Sequence, residues 1–388
     1  MNVVPPKVTT VISAELFEGT TIKRDSTCSR RRMPRNSPVQ SLPMCLYHVD
    51  PCNDPRWPRF LDRCPDASVF HTRGWLEALR RTYGYKPVVY TTSAPGTELV
   101  NGQAFCRIDS WLTGCRLVSV PFSDHAAVLM DGAAHFESLL SCLQEEVDNK
   151  KWRYVDLRPV GGELAVPARF RTSDAFYHHK LSLDMDLDTI LRSFHKNCIQ
   201  RKIRRAAHEN LDYTEGRSEV LIGQFYLLLT LTQHRHRIPP QPISWFRNLA
   251  ACLGDAMKIR IASRNGRPIA GIVTLSTKNS MIYKYGGSDS KYHKLGGIPF
   301  LLWKAIQEAK ACGFAELDMG RTDCKNSGLV AFKERWGATR STLMYWRYPA
   351  SITASPRRWE FKAAQRIFAL MPASALPAAG RLLYRHIG

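Results

Sequence analysis

"YKYGGSDSKYHKLGGIPFLLWKAIQEA", Tyr283 to Ala309, changes character partway along. Up to Tyr285 it continues the strand pattern of "SMIYKYGGS", and from Ile298 it takes helical spacing. Between the two, Ser288, Asp289, Tyr292 and His293 gather polar groups. Gly296-Gly297 then lets backbone approach something closely just before a helix N-terminus. Free N–H groups and the positive end of a helix dipole suit such a place to a phosphate or a developing oxyanion. An ordinary glycine turn feeding a helix accounts for the same spacing.

The strand–loop–helix unit extends in both directions. Downstream, "FAELDMG" predicts a strand carrying Asp318, followed by a helix at "GLVAFKERWGA" (Gly328 to Ala338) and a strand at "STLMYWRY". Upstream, "MKIRIAS" and "RPIAGIVTLS" predict two strands joined at the Asn265-Gly266 turn. Helices are expected at "DTILRSFHKNCIQRKIRRAAHE", "VLIGQFYLLLTLTQHRH" and "ISWFRNLAACLG". A shorter version stands earlier: helix "RGWLEALRRTYG", strands "KPVVYTT", "GQAFCRID" and "CRLVSV", helix "AHFESLLSCLQEEVDNK" and strand "WRYVDLR". In each half three strands lead through a Ser-Asp pair, Ser123-Asp124 and Ser288-Asp289, into a helix and then a strand with an aspartate, Asp156 and Asp318. The pattern predicts an α/β (α+β) chain with a helix-flanked, twisted mixed sheet used twice and a cleft between the halves. The two domains are expected at 44–187 and 188–349. Residues 1–43, with the basic run "SRRRMPR" and no sustained period, read as a disordered arm. Residues 350–388 read as an amphipathic helical tail that packs on the protein body or lies on a membrane face.

Two stretches carry unusual charge. In "GLVAFKERWGA", Leu329, Phe332 and Trp336 make an apolar stripe, with Ser327 to cap the start and Gly337 the end. Lys333 sits about 100° around the helix from Phe332, at the edge of that stripe. In "RSFHKNCIQRKIRRAAHE", Arg192, Lys196, Arg201, Lys202, Arg204 and Arg205 occur with no acidic residue between them and no i, i+4 acidic partner expected. Leu191, Phe194, Cys198, Ile199 and Ile203 form its apolar face. The cations are either a solvated face or a contact for RNA, a nucleotide-linked substrate or lipid headgroups.

Across the 388 residues the formal charge is +21, which implies a polyanionic partner, and 44% of residues are hydrophobic, as in a globular protein. Eleven cysteines with no C-x-x-C pair read as small buried hydrophobes in a reducing cytosol, Cys142, Cys252 and Cys312 among them. The sequence shows neither a signal-peptide layout nor an apolar run of about 20 residues, so a cytoplasmic protein is expected, with the inner face of the membrane open to it as a peripheral site. The motifs of serine hydrolases, P-loop nucleotidases, zinc peptidases and dinucleotide binders are missing. His234-Arg235-His236 does not make a metal site, since two histidines two apart on a helix point in different directions. DNA binding has only charge in its favour.

The ordered set "Y-K-Y-G-x-S-D", "L-G-G-x-P-F-L-L-W-K-A-I-Q-E-A", "D-M-G-R-T-D" and "F-K-E-R-W-G-A" resembles the FemAB-like branch of the GNAT acyltransferase superfamily, with its BioF2-like acetyltransferase domain. The likeness runs from about Phe70 to Tyr348 and is strongest from Ile190 onward. It implies tandem GNAT-type domains and transfer of an acyl or aminoacyl group to an amine of a peptidoglycan or exopolysaccharide precursor. It implies no tightly bound cofactor and a phosphate-bearing donor, either acyl-CoA or aminoacyl-tRNA; the loop lacks the full Arg/Gln-x-x-Gly-x-Gly/Ala signature of coenzyme A binders. By matching position, Phe332 and Lys333 border the donor site. Amide formation from an ester or thioester needs a neutral amine and a stabilised oxyanion, and no nucleophile–base pair. Lys333 is thus expected to stabilise the oxyanion or donor phosphate, and Asp289 or Asp318 to accept the amine proton. Tyr285, Ser288, His293, Gly296, Gly297, Arg321, Phe332, Arg201 and Arg204 are expected to hold substrate. The rival expectation is a non-catalytic protein of this fold that binds RNA or an anionic membrane through its basic helix.

Overall fold

The computed structural model describes residues 45–160, 166–352 and 375–388. The expected disordered arm and residues 353–374 of the tail lie outside the described residues. The first half supplies β1 (Tyr47–Val49), β2 (Lys86–Thr91), β3 (Gln103–Ile108), β4 (Arg116–Val118), β5 (Val155–Leu157) and β6 (Arg171–Ser182). The second supplies β7 (Asp212–Gly216), β8 (Met257–Arg264), β9 (Arg267–Thr277), β10 (Ser280–Ser288), β11 (Glu316–Asp323) and β12 (Thr339–Tyr348). All twelve join one sheet in the order β1-β2-β3-β4-β5-β12-β6-β11-β10-β9-β8-β7. Each half therefore gives its last strand to the other: β12 pairs with β5, and β6 pairs with β11. The twelve-residue β6 has no counterpart in the sequence reading, and β1 and β7 are also additions to it. β6 carries Asp174, His178, His179 and Lys180 among its apolar residues, which hides a strand from pattern reading.

Each half contains one parallel pair, and their registers correspond. In the first, Leu117 faces Val155 and Val118 faces Asp156; in the second, Met281 faces Leu317 and Ile282 faces Asp318. Beyond Ile282 and Asp318 the second pair separates. β10 stays with β9 as far as Ser288, while β11 stays with β6 as far as Asp323. Bulges between Tyr283 and Tyr285 and between Asp318 and Arg321 accompany this separation. A split thus opens in the middle of the sheet.

Helices close the two faces. On one, α2 (Arg73–Tyr83), α6 (Glu219–His236) and α7 (Ile243–Leu253) bury Trp75, Phe225 and Trp245 with Ile259 and Ile282 of the sheet. On the other, α4 (Leu187–Ser193), α5 (Arg201–His208) and α8 (Gly297–Ala311) bury Ile190, Ile203 and Leu302 with Met281 and Leu317. α3 (Gly132–Asp148) covers the first half, and α1 (Arg56–Arg63), absent from the sequence reading, buries Trp57 and Phe60. The β8–β9 hairpin turns at Asn265-Gly266, both at positive φ as its tight turn requires.

Four expectations need correction. The helix foreseen from Asp188 to Glu209 is broken: Phe194 is extended, with ψ of 146°. Its ring is driven into the core against Trp303 and Trp336, and the His195 N–H bonds Arg335 O at 2.8 Å, so the chain bends before restarting. In α9 (Ser327–Glu334) the cap is Asn326 rather than Ser327, and the buried residues are Val330 and Lys333 rather than Leu329 and Phe332. Arg205 does have an i, i+4 partner, Glu209 at 3.1 Å. Cys312, just past the end of α8, is exposed, and Cys142 in α3 and Cys252 in α7 are half-buried.

The C-terminal helix α10 (Leu376–Ile387) packs on the protein. Arg116 and Thr113 donate to His386 O at 2.6 and 3.0 Å, Tyr85 to Tyr384 O at 2.8 Å, and Tyr384 to Pro239 O at 3.1 Å. Among the described residues no helix is long and apolar enough to cross a membrane.

Candidate active site

The split between β10 and β11 is filled by charge. Lys333 reaches it from α9 and is 2% exposed, its ammonium donating to Gly320 O at 2.7 Å and Arg321 O at 3.1 Å. Burial pushes its pKa down to about 8, with Asp124 and Asp318 opposing the shift. From β10, Lys284 donates to Phe122 O at 2.8 Å and to Asp124 Oδ2 at 3.0 Å. Burial would raise the Asp124 carboxyl, but Lys284 and Arg321 together hold it below its usual range. Arg321 donates to the Tyr345 hydroxyl at 2.6 Å, and that hydroxyl donates to Asp124 O at 2.5 Å. Gly320 lies at φ +72°, and a Cβ there would come 3.0 Å from Asp124 Oδ2. Only glycine therefore lets the strand turn its carbonyl to Lys333 beside that carboxylate.

Asp318 anchors the other side of Gly320. Its Oδ1 accepts from Gly320 N at 2.6 Å and from His178 Nε2 at 2.8 Å, and its Oδ2 from His125 Nε2 at 3.0 Å. Burial would raise this carboxyl, but His178 and His125 hold it well below the usual range. An ionised carboxylate only accepts, so both histidines carry their proton on Nε2. His125 Nδ1 is buried with no hydrogen-bond partner. A metal-bound imidazole normally donates its second N–H, so this second shell favours a hydrogen-bonded clamp over an ion site. His125 and Asp318 line a cleft of about 760 Å³ with Ser68, Gly132, Lys180 and Glu316.

A second cleft, about 480 Å³, opens on the opposite face, where Ile269 and Ala270 join the α5–α8 core. Arg201, Lys202, Ser288, His293, Phe332 and Arg335 line it, with Gly297 at the start of α8. The Ser288 hydroxyl lies 2.9 Å from His293 Nε2. This is a nucleophile–base contact that the sequence reading did not expect. Burial, with Arg235 and Lys202, lowers the His293 pKa.

The expected residues therefore divide into three groups. Lys333, Asp318 and Arg321 meet at the split; Arg201, Ser288, His293, Gly297 and Phe332 meet in the second cleft. The rest have other work. Asp289 accepts from Lys291 N at 3.0 Å and pairs with Arg267 at 3.3 Å. Tyr285 accepts from Trp245 Nε1 at 2.9 Å, and Arg204 donates outward to Gln200 at 3.0 Å. Gly296, at φ +78°, would put a Cβ 2.5 Å from Lys202 O, so its close approach is to α5. Asp124, His125, His178, Lys284 and Tyr345 were missed. The signals for three of them were the Asp124-His125 pair at the Ser-Asp loop and a lysine, Lys284, inside the apolar strand "SMIYKYGGS".

Comparison with known proteins agrees with this fold. Residues 193–334, within the second half of the chain, match the family described as an acetyltransferase (GNAT) domain. Over 88 residues the chain is 28% identical to a UDP-N-acetylmuramoylpentapeptide-lysine N(6)-alanyltransferase of Weissella viridescens. The match spans 22% of this chain and 26% of that enzyme, about a quarter of the relative's length. The crystal structure of FemX superposes with a TM-score of 0.60 at 14% identity, covering 78% of this chain and 97% of that one. L-PGS from Bacillus licheniformis superposes with a TM-score of 0.50 at 14% identity, covering 87% and 97%. The two structures share the fold.

Proposed function

We propose that this chain, with its GNAT domain at 193–334, is an N-acyltransferase that moves an acyl or aminoacyl group onto an amine of a cell-envelope or polysaccharide precursor. One observation carries the reading: a buried lysine, held by two backbone carbonyls and by no carboxylate, sits in a break in the sheet with a cleft on either face. With a pKa of about 8 the lysine is still mostly charged at neutral pH, and a charge already out of water and fixed in place stabilises an oxyanion that forms there without reorganisation. The cleft with Arg201, Lys202 and Arg335 at the start of α8 suits a phosphate-bearing donor, acyl-CoA or aminoacyl-tRNA. The opposite cleft suits the acceptor.

The carboxylate of Asp318, already accepting from three donors, is poorly placed to take a proton. His125, oriented by it, is the better acceptor for the amine proton. The amine nitrogen attacks the carbonyl carbon as its proton passes to His125. The oxyanion then collapses, the ester or thioester bond breaks, and the leaving oxygen or sulfur takes that proton. The similarity to an alanyltransferase supports an amino acid as the group moved.

The test is mass spectrometry of lysine-bearing cell-envelope precursors and amino sugars incubated with the full chain and either acyl-CoA or charged tRNA. The expected result is one acyl or aminoacyl adduct with one donor class. Folded protein that modifies no amine with either donor would refute the reading.

A further inference from the structure

The loop that follows β3 exposes Trp111 to 86% and Leu112 to 51% of their surface. An indole left in water forfeits one of the largest burial gains a side chain offers, so the pair calls for a partner. The loop is not loose. Ser110 Oγ lies 2.9 Å from His386 Nδ1, Leu112 N and Thr113 N both bond Ser110 Oγ, and the Trp111 ring meets the His386 ring edge-on at 5.6 Å. The loop tip is thereby fixed against α10. One helical turn before His386 stands Leu382, 74% exposed, and Arg381 and Arg385 are exposed on either side of it. Arg153, also exposed, donates to Thr113 O at 3.1 Å and adds a third cation at the loop. Among the described residues Arg381, Arg385 and Arg153 have no acidic partner. Asp109, the nearby acid, is taken by Arg107 at 3.0 Å and Lys86 at 3.4 Å.

We propose that Trp111, Leu112 and Leu382, ringed by Arg153, Arg381 and Arg385, form a docking surface for an anionic lipid bilayer. The chemistry selects that partner. An indole and two leucines so exposed enter the boundary between headgroups and acyl chains, where tryptophan is favoured, and the arginines reach lipid phosphates around them. Shallow apolar contact and positive charge act together, since neither alone gives firm attachment. The whole chain, at +21, is attracted to such a surface before contact. None of these residues lines the split or either cleft, so docking through them does not occupy the site.

The experiment is co-sedimentation of the full chain with phosphatidylcholine vesicles, with and without phosphatidylglycerol, at several salt concentrations. Wild type is expected to sediment with the anionic vesicles and to be released as salt rises. Trp111→Ser with Leu112→Ser should lower the partition at least about tenfold at unchanged melting temperature, because both side chains are exposed. Arg381→Gln with Arg385→Gln should lower it roughly fivefold per charge and flatten the salt dependence. Wild type that stays in solution with anionic vesicles overturns the proposal, as does a Trp111→Ser, Leu112→Ser protein that binds like wild type. A concentration-dependent dimer lost in that double variant, with no vesicle binding, would assign the surface to self-association and also overturn it.

Discussion

Lys333 shows what one residue costs and supplies. Its pKa falls from 10.5 to about 8, so the fold favours the neutral amine. The unfolded chain then binds more protons between about pH 8 and 10.5, and stability must rise with pH across that window, by on the order of 3 kcal/mol when complete. Lys333→Met should remove this rise, which paired denaturation curves at pH 7 and pH 10 will read. The same substitution should lower turnover by about 10²-fold or more, the scale for losing one oxyanion stabiliser. Lys333 drew notice in the sequence as a charge at the edge of an expected apolar stripe, and only the resemblance to the FemAB-like branch turned it inward. Its neighbours were not legible. Asp124, His178, Lys284 and Tyr345 come from four strands or loops far apart in sequence, and only the strand order brings them together.

At the scale of elements, the bend at Phe194 and His195 decides which cations do chemistry. A straight helix would have offered Arg201 and Arg204 alike; the observed α5 turns Arg201 and Lys202 into the second cleft and leaves Arg204 outside. Arg201→Gln should therefore raise KM for the donor several-fold and flatten its salt dependence, while Arg204→Gln leaves both unchanged. Steady-state kinetics at three salt concentrations separates the two variants. The close packing of α5 on the start of α8 makes a second prediction. Gly296→Ala combines a left-handed backbone with a Cβ 2.5 Å from Lys202 O, and should destabilise the fold by roughly 1–3 kcal/mol in urea titration. The strands and helices with clear periods were legible, β8 to β10 and α6 to α8 among them. β6 was not, since its polar residues face a built site and break the alternation that marks a strand.

For the whole molecule, the exchange of last strands ties the halves together. The described residues fall within one compact unit, Pro43–Gly388, and β6 lies between β11 and β12. We propose that the chain holds two copies of one unit, as the matching registers at Asp156 and Asp318 suggest, joined so that neither folds alone. Fragments 44–187 and 188–349 expressed separately should each lack a cooperative melting transition, because each would lose a central strand to solvent. The sequence hinted at a repeat through its paired Ser-Asp loops; the exchange of strands left no such hint, because strand order between distant segments leaves no local mark. The split and the cleft lined by His125 and Asp318 draw residues from both halves, and acyl transfer at that split is the account's central claim. The measurement that tests it most directly is the single-turnover rate of acyl transfer to an amine, with donor saturating, for wild type and Lys333→Met. The account predicts transfer by the wild type and a loss of about 10²-fold or more in a variant that still binds donor. Equal rates for the two proteins would contradict it.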